Sequence, residues 1–85
     1  MKRIVYSDQA LHALRRMDRA TARRIVGKIG QLATDPESLA NNIKRLTGKE
    51  RELLRLRVGD WRILFTMTLE IVGISRISPR SSAYE

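Results

Sequence analysis

Cysteine is absent from this chain, so disulfides and thiolate metal sites contribute nothing to it. That absence suits a reducing cytosol. Histidine occurs once, as His12, in a stretch of helical spacing where it reads as a surface or packing residue and not as a catalyst. No cluster of ligating side chains has the spacing of a metal site, and no metal is expected. Proline and glycine are sparse, at two and five residues, and no linker, repeat or low-complexity tract divides the chain. No apolar run is long enough to span a bilayer. The N-terminus, Met1-Lys2-Arg3-Ile4-Val5-Tyr6, is basic but lacks the apolar stretch and small-residue cleavage site of a secretory signal. Neither export nor membrane insertion is expected, and the expected location is cytoplasmic.

Carboxylates are in short supply as well. Nine Asp and Glu stand against seventeen Lys and Arg, a net charge of +8 over 85 residues. A chain of this length is expected to form one domain, 1–85, that buries roughly 60 to 65% of its unfolded surface. On so small a body the excess charge favours polyanionic partners, nucleic acid first. A basic surface can also serve solubility alone. Here arginine heavily outnumbers lysine, and its planar fork matches phosphate oxygens where lysine presents a point charge. The same field would attract an acidic protein.

Apolar periodicity gives the elements. Residues 2–6 read as a short strand with Ile4 and Tyr6 on one face. Ser7 can cap a first helix that carries Ala10, Leu11, Ala13, Leu14 and Met17 at helical spacing. Asp18 can cap a second, whose stripe is Ala22, Ile25, Val26, Ile29, Leu32 and Ala33. Gly27 and Gly30 each weaken that helix by about 1 kcal/mol relative to Ala and suggest close packing against a sheet. Asp35-Pro36 ends it. Residues 37–50 read as a loop with at most one helical turn. Strands at 53–58 and 61–68 flank Gly59-Asp60, where glycine in first position suits a type II′ turn. A third strand covers 71–78, and Pro79 stops it. The expected fold class is α+β: an N-terminal strand, a helical hairpin, then a three-stranded antiparallel meander, with the helices on one sheet face.

A two-residue turn fixes a register. Val58 then pairs with Trp61, Arg57 with Arg62, Leu56 with Ile63 and Arg55 with Leu64. Side chains alternate across a strand, so one face holds Leu54, Leu56, Val58, Trp61, Ile63, Phe65 and Met67, apolar throughout. The other holds Arg55, Arg57, Arg62, Leu64 and Thr66, with Gly73 and Ser75 of the next strand expected beside them. Like charges directly opposite one another destabilise a sheet by up to about 1 kcal/mol. Folding alone would favour a carboxylate at position 57 or 62, so three arginines gathered on one face point to an anion site. The plainer alternative is a solvated face whose arginines pair with Glu50, Glu52 or Glu70, although Glu52 has the opposite parity from Arg55 and Arg57. Arg80 and Tyr84, past the last strand, add a cation and a ring able to stack on a base.

These features together resemble the RelE/ParE toxin superfamily over most of the chain. Arg45-Leu46-Thr47-Gly48 is similar to that family's K/R-L-x-G loop. Leu54-Arg55-Leu56-Arg57-Val58-Gly59-Asp60-Trp61-Arg62-Ile63-Leu64-Phe65 is similar to its L-R-x-G-x-[YW]-R-[IVL]-x-[YF] hairpin, the most specific of the three. Arg80-Ser81-Ser82-Ala83-Tyr84 is similar to its closing R-x-x-x-Y. The resemblance implies the RelE-like microbial ribonuclease fold. It implies a toxin neutralised by a cognate RelB-like antitoxin in a toxin–antitoxin hetero-oligomer. It further implies messenger RNA in the ribosomal A site as substrate, cut without metal or small-molecule cofactor. The 2′-hydroxyl would attack the neighbouring phosphate, leaving a 2′,3′-cyclic phosphate and a free 5′-hydroxyl. By match, Arg55, Arg62 and Arg80 would contact phosphate and stabilise transition-state charge. Tyr84 would stack on or orient a base, or help move a proton. Arg57, Lys49, Arg45 and Lys44 would bind RNA.

The chain also departs from that pattern. Leu53 and Arg55 stand where lysines are frequent, and Pro79 stands where a histidine often precedes the tail arginine. Arginine stays protonated and is a poor general base, so the proton acceptor has no candidate. Two other readings therefore stand beside the ribonuclease. One is a ParE-like DNA gyrase inhibitor, which acts by protein binding and needs no acid or base. The other is an RNA- or antitoxin-binding module without toxicity. Under each, the apolar groove between helices and sheet is an expected antitoxin dock, open to an amphipathic helix or an added strand.

Overall fold

In a computed structural model of the chain, residues 1–46 and 53–80 are described. Each early element starts or stops where the sequence supplies a cap. β1 (Arg3–Tyr6) leads into α1 (Asp8–Arg16) through Ser7, whose hydroxyl oxygen accepts the Ala10 amide at 3.1 Å. Asp18 caps α2 (Arg19–Thr34), accepting the Thr21 hydroxyl at 2.6 Å and the Thr21 amide at 3.0 Å. Those bonds hold its carboxyl below the ordinary aspartate value. Pro36 disfavours the helical region for Asp35, and α2 ends there. A 3₁₀ helix (Pro36–Asn42) follows, then β2 (Ile43–Leu46), β3 (Leu53–Val58), β4 (Trp61–Met67) and β5 (Ile71–Pro79).

The strands described form one sheet in the order β1-β5-β4-β3-β2. β1 runs parallel to β5, and the other neighbours are antiparallel. The helices cover one face. Ala10, Ile25, Ile29, Leu32 and Ala33 meet Leu56, Ile63, Phe65, Val72, Ile74 and Ile77 in the core, and the 3₁₀ helix adds Leu39. The expected α+β class and helical layer are therefore present. Among the described residues, no helix is long and apolar enough to cross a membrane.

Four details differ from the sequence expectation. Residues 37–50 include β2, antiparallel to β3. Its apolar residues sit at the two ends with Lys44 and Arg45 between them, so it carries no period-two signal. Charge in that place suits an edge strand, because it discourages pairing with another chain. Val26 leaves the apolar stripe and is 45% exposed. The β4–β5 connection, poor in turn residues, is closed by Thr68: its hydroxyl oxygen accepts the Ile71 amide at 3.0 Å and the Glu70 amide at 3.3 Å. Finally, a Cβ at Gly27 or Gly30 would meet nothing within 4 Å, so neither glycine serves close packing. Gly27→Ala and Gly30→Ala should each stabilise the fold by up to about 1 kcal/mol, read as a higher midpoint in urea denaturation.

Candidate nucleic-acid interface

Gly59 sets the geometry of the hairpin. Its φ is +58°, and no non-glycine residue described has a positive φ. Positive φ at the first loop residue alone is the signature of a type II′ turn. Val58 pairs with Trp61, Arg57 with Arg62, Leu56 with Ile63, Arg55 with Leu64 and Leu54 with Phe65, which is the register read from the sequence. Partners of this kind have Cα atoms about 4.5 to 5.5 Å apart, so Arg57 and Arg62 are direct neighbours on the face away from the helices. β2 adds Lys44 opposite Arg55.

The cations of this face differ in depth. Arg57 and Lys44 are exposed and Arg55 is half-buried. Arg62 is only 7% exposed. Its Nη1 donates to the main-chain carbonyls of Gly59 and Trp61, each at 3.1 Å. Its Nε is buried without a hydrogen-bond partner. The guanidinium is thus tethered at the turn with donor capacity in reserve. Opposite it on β5 lies Ser78, 3% exposed, whose hydroxyl is also buried and unpartnered. An unsatisfied buried polar group costs about 1 to 3 kcal/mol. Two such groups side by side, next to a like-charge pair, mark this end of the hairpin as shaped by more than folding.

Arg80 is brought to the same place. Its amide donates to the Asp60 carbonyl at 2.7 Å, and its side chain is exposed. Arg45 is not brought to this face: it pairs with Leu54, on the parity opposite to Lys44. Lys49 and Tyr84 lie outside the described residues, as do Thr47, Gly48, Glu50 and Glu52. His12 is exposed on α1, in the helical layer. Among the described residues on the strands of the cationic face, none is a histidine or a carboxylate.

Sequence reasoning placed Ser75 on this face and missed Arg76. The β4–β5 ladder shifts register between Leu64 and Phe65: Leu64 faces Arg76 while Phe65 faces Ile74. Ser75 is the extra residue of a β-bulge, and beyond it the parity reverses. Arg76 and Ser78 therefore join Arg62 and Leu64, and Arg76 is exposed. The signal was the apolar spacing, in which Val72 and Ile74 are two apart but Ile74 and Ile77 three.

Over residues 4–84 the sequence matches the family described as the ParE toxin of the type II toxin–antitoxin system parDE. Among solved structures, the chain is similar to the archaeal RelE–RelB complex from Pyrococcus horikoshii, with 25% identity, a TM-score of 0.76 and coverage of 96% of this chain and 98% of that one. It is also similar to the toxin–antitoxin complex RelBE2 from Mycobacterium tuberculosis, with 20% identity, a TM-score of 0.76 and coverage of 93% and 98%. A third likeness is to the E. coli DinJ–YafQ toxin–antitoxin complex, with 15% identity, a TM-score of 0.69 and coverage of 99% and 98%. The latter two likenesses, below 25% identity, bear on the fold alone. Among curated proteins, none matches the chain.

The Arg57–Arg62 pairing yields a stability test. Arg57→Glu sets a carboxylate opposite Arg62 and should stabilise the fold by a few tenths to about 1 kcal/mol. Urea denaturation of the variant beside the wild type reads the difference.

Proposed function

The chain belongs to the ParE toxin family of type II toxin–antitoxin systems, and we propose that it arrests growth by acting on RNA, as a RelE-like, ribosome-dependent endoribonuclease held in check by a RelB-like antitoxin. The observation that carries this reading is the like-charge pair Arg57–Arg62 on one sheet face with Arg55, an arrangement that like-charge repulsion disfavours, with the Arg80 main chain anchored at the same turn. In the proposed reaction, messenger RNA in the ribosomal A site presents a phosphodiester to that face. The ribose 2′-hydroxyl attacks the adjacent phosphorus, and the 5′-oxygen of the next nucleotide leaves. The products are a 2′,3′-cyclic phosphate and a 5′-hydroxyl.

Charge accumulates on the phosphoryl oxygens during this step. Arg62 is suited to stabilise it, because its tether to the Gly59 and Trp61 carbonyls fixes a cation before the reaction begins. Arg55 and Arg80 contact the phosphate, Tyr84 stacks on a base, and Arg57, Lys49 and Lys44 hold the strand. Positioning of the 2′-hydroxyl by the ribosome supplies a large part of the rate, and no cofactor takes part. The net charge of +8 suits an acidic antitoxin, and the cytoplasm is the site of action.

A second reading, inhibition of DNA gyrase by protein binding, has its own support. The matched family is that of ParE, and the described residues on the strands of the cationic face offer no histidine or carboxylate as a base. Brief expression in cells, followed by mapping of messenger RNA 5′ ends, separates the two. The wild type should introduce new cuts within coding frames, and the Arg62→Ala, Arg80→Ala double variant should not. Growth arrest with intact messages and blocked supercoiling would assign gyrase instead.

A further inference from the structure

β1 ends at Tyr6, having paired only with residues 71–74 of β5. Past that point the outer edge of β5 is met by groups from the start of α1. The Ser7 amide donates to the Ile74 carbonyl at 2.9 Å, and the Ser7 hydroxyl donates to the Ser75 carbonyl at 2.7 Å. The Gln9 carboxamide then bonds Ile77 twice, donating through Nε2 to the carbonyl at 3.0 Å and accepting the amide on Oε1 at 2.9 Å. A primary amide that donates and accepts on one residue reproduces what a neighbouring strand would offer. The segment so held is the one that contains the bulge.

The bulge has two consequences. With regular alternation from Ile74, Ile77 would turn out to the cationic face and Arg76 would turn into the core. With Ser75 as the extra residue, Ile77 is 1% exposed and Arg76 is exposed on the cationic face. Burial of Ile77 would explain a bulge with any residue at position 76. It does not explain an arginine there, across from Leu64, whose partner on the other side is Arg55. Nor does it explain the buried, unpartnered Nε of Arg62 and hydroxyl of Ser78 one row away. Two rows on one face are about 7 Å apart along the strands, a separation an extended nucleic-acid backbone can bridge between phosphates.

We propose that Arg76 is a second phosphate contact of the cationic face, one row beyond Arg57 and Arg62, and that Gln9 and Ser7 are its positioning residues because they hold the bulge at Ser75. This rests on the RNA reading and adds to it a direction for the bound strand, across β4 towards β5. It also makes the start of α1, in the layer opposite the site, a determinant of affinity.

The test is binding of a short fluorescein-labelled oligouridylate, followed by anisotropy over a series of salt concentrations. For single strands the slope of log affinity against log salt has a magnitude of about 0.7 per phosphate neutralised by the protein. Arg76→Ala, at an exposed position, should weaken binding and reduce the slope by that amount, as should Arg57→Ala. Gln9→Ala should reduce the slope similarly, and Gln9→Ala, Arg76→Ala should bind no worse than Arg76→Ala. A purely structural Gln9 would lower the melting temperature and leave the slope alone. If Arg57→Ala lowers the slope and Arg76→Ala does not, the second contact is wrong and the RNA reading stands. If the wild type does not bind the oligonucleotide, or neither arginine variant alters the slope, the contact at Arg76 is overturned, and the ribonuclease reading is decided separately by the mapping of messenger RNA ends.

Discussion

A glycine at φ +58° closes β3 onto β4 in two residues, and that closure decides which face each side chain of the hairpin occupies. Because the period is two, a slip of one residue would turn one strand over relative to the other, carrying either Arg55 and Arg57 of β3 or Arg62 of β4 into the core, and Leu56 or Ile63 and Phe65 into water. Those three apolar residues are 0% exposed, so burial and turn chemistry demand the same register. An L-residue at Gly59 would adopt this φ only with strain. The Arg24 guanidinium, 3.4 Å from where a Cβ would stand, leaves room for one, so the constraint at this position is the backbone conformation alone.

The other half of the cationic face is placed by different means. Beyond Ile74, β5 is laddered to β4 on one edge and bonded by Ser7 and Gln9, from the start of α1, on the other. The face thus gathers arginines from three strands, set by the hairpin turn and by the bulged pairing of β5. Its composition works against stability: Arg57 opposes Arg62, and Arg62 Nε and Ser78 Oγ are buried without partners. Small domains have a margin of about 5 to 15 kcal/mol, so defects of order 1 kcal/mol each are tolerable where a bound anion can satisfy them. Concentration of such defects on one face of a chain with net charge +8 is the physical basis for reading that face as the working surface.

Much of this was legible in the sequence, for identifiable reasons. Caps at Ser7 and Asp18, the stop at Asp35-Pro36 and the turn at Gly59-Asp60 are local chemistry, and each is where the residues put it. The register of the hairpin followed from its turn and its alternation, and with it the positions of Arg55, Arg57 and Arg62. What was not legible depends on distant partners. β2 has no alternation of its own and exists because β3 offers an edge. The bulged segment is bonded by a side chain 68 residues away along the chain; its one local trace, the three-residue step from Ile74 to Ile77, marks a change of parity without saying which residue is the extra one, so simple alternation missed Arg76. The depth of Arg62 was equally hidden, since an arginine on a surface strand is ordinarily exposed.

Cleavage of RNA at this surface is the central claim. The most direct measurement incubates the purified chain with ribosomes programmed with a defined message and reads the chemistry of the new ends. A 2′,3′-cyclic phosphate facing a 5′-hydroxyl at discrete A-site codons, absent when the ribosome is omitted, is the expected result. An intact message, together with loss of supercoiling when the same preparation is added to DNA gyrase, would contradict it.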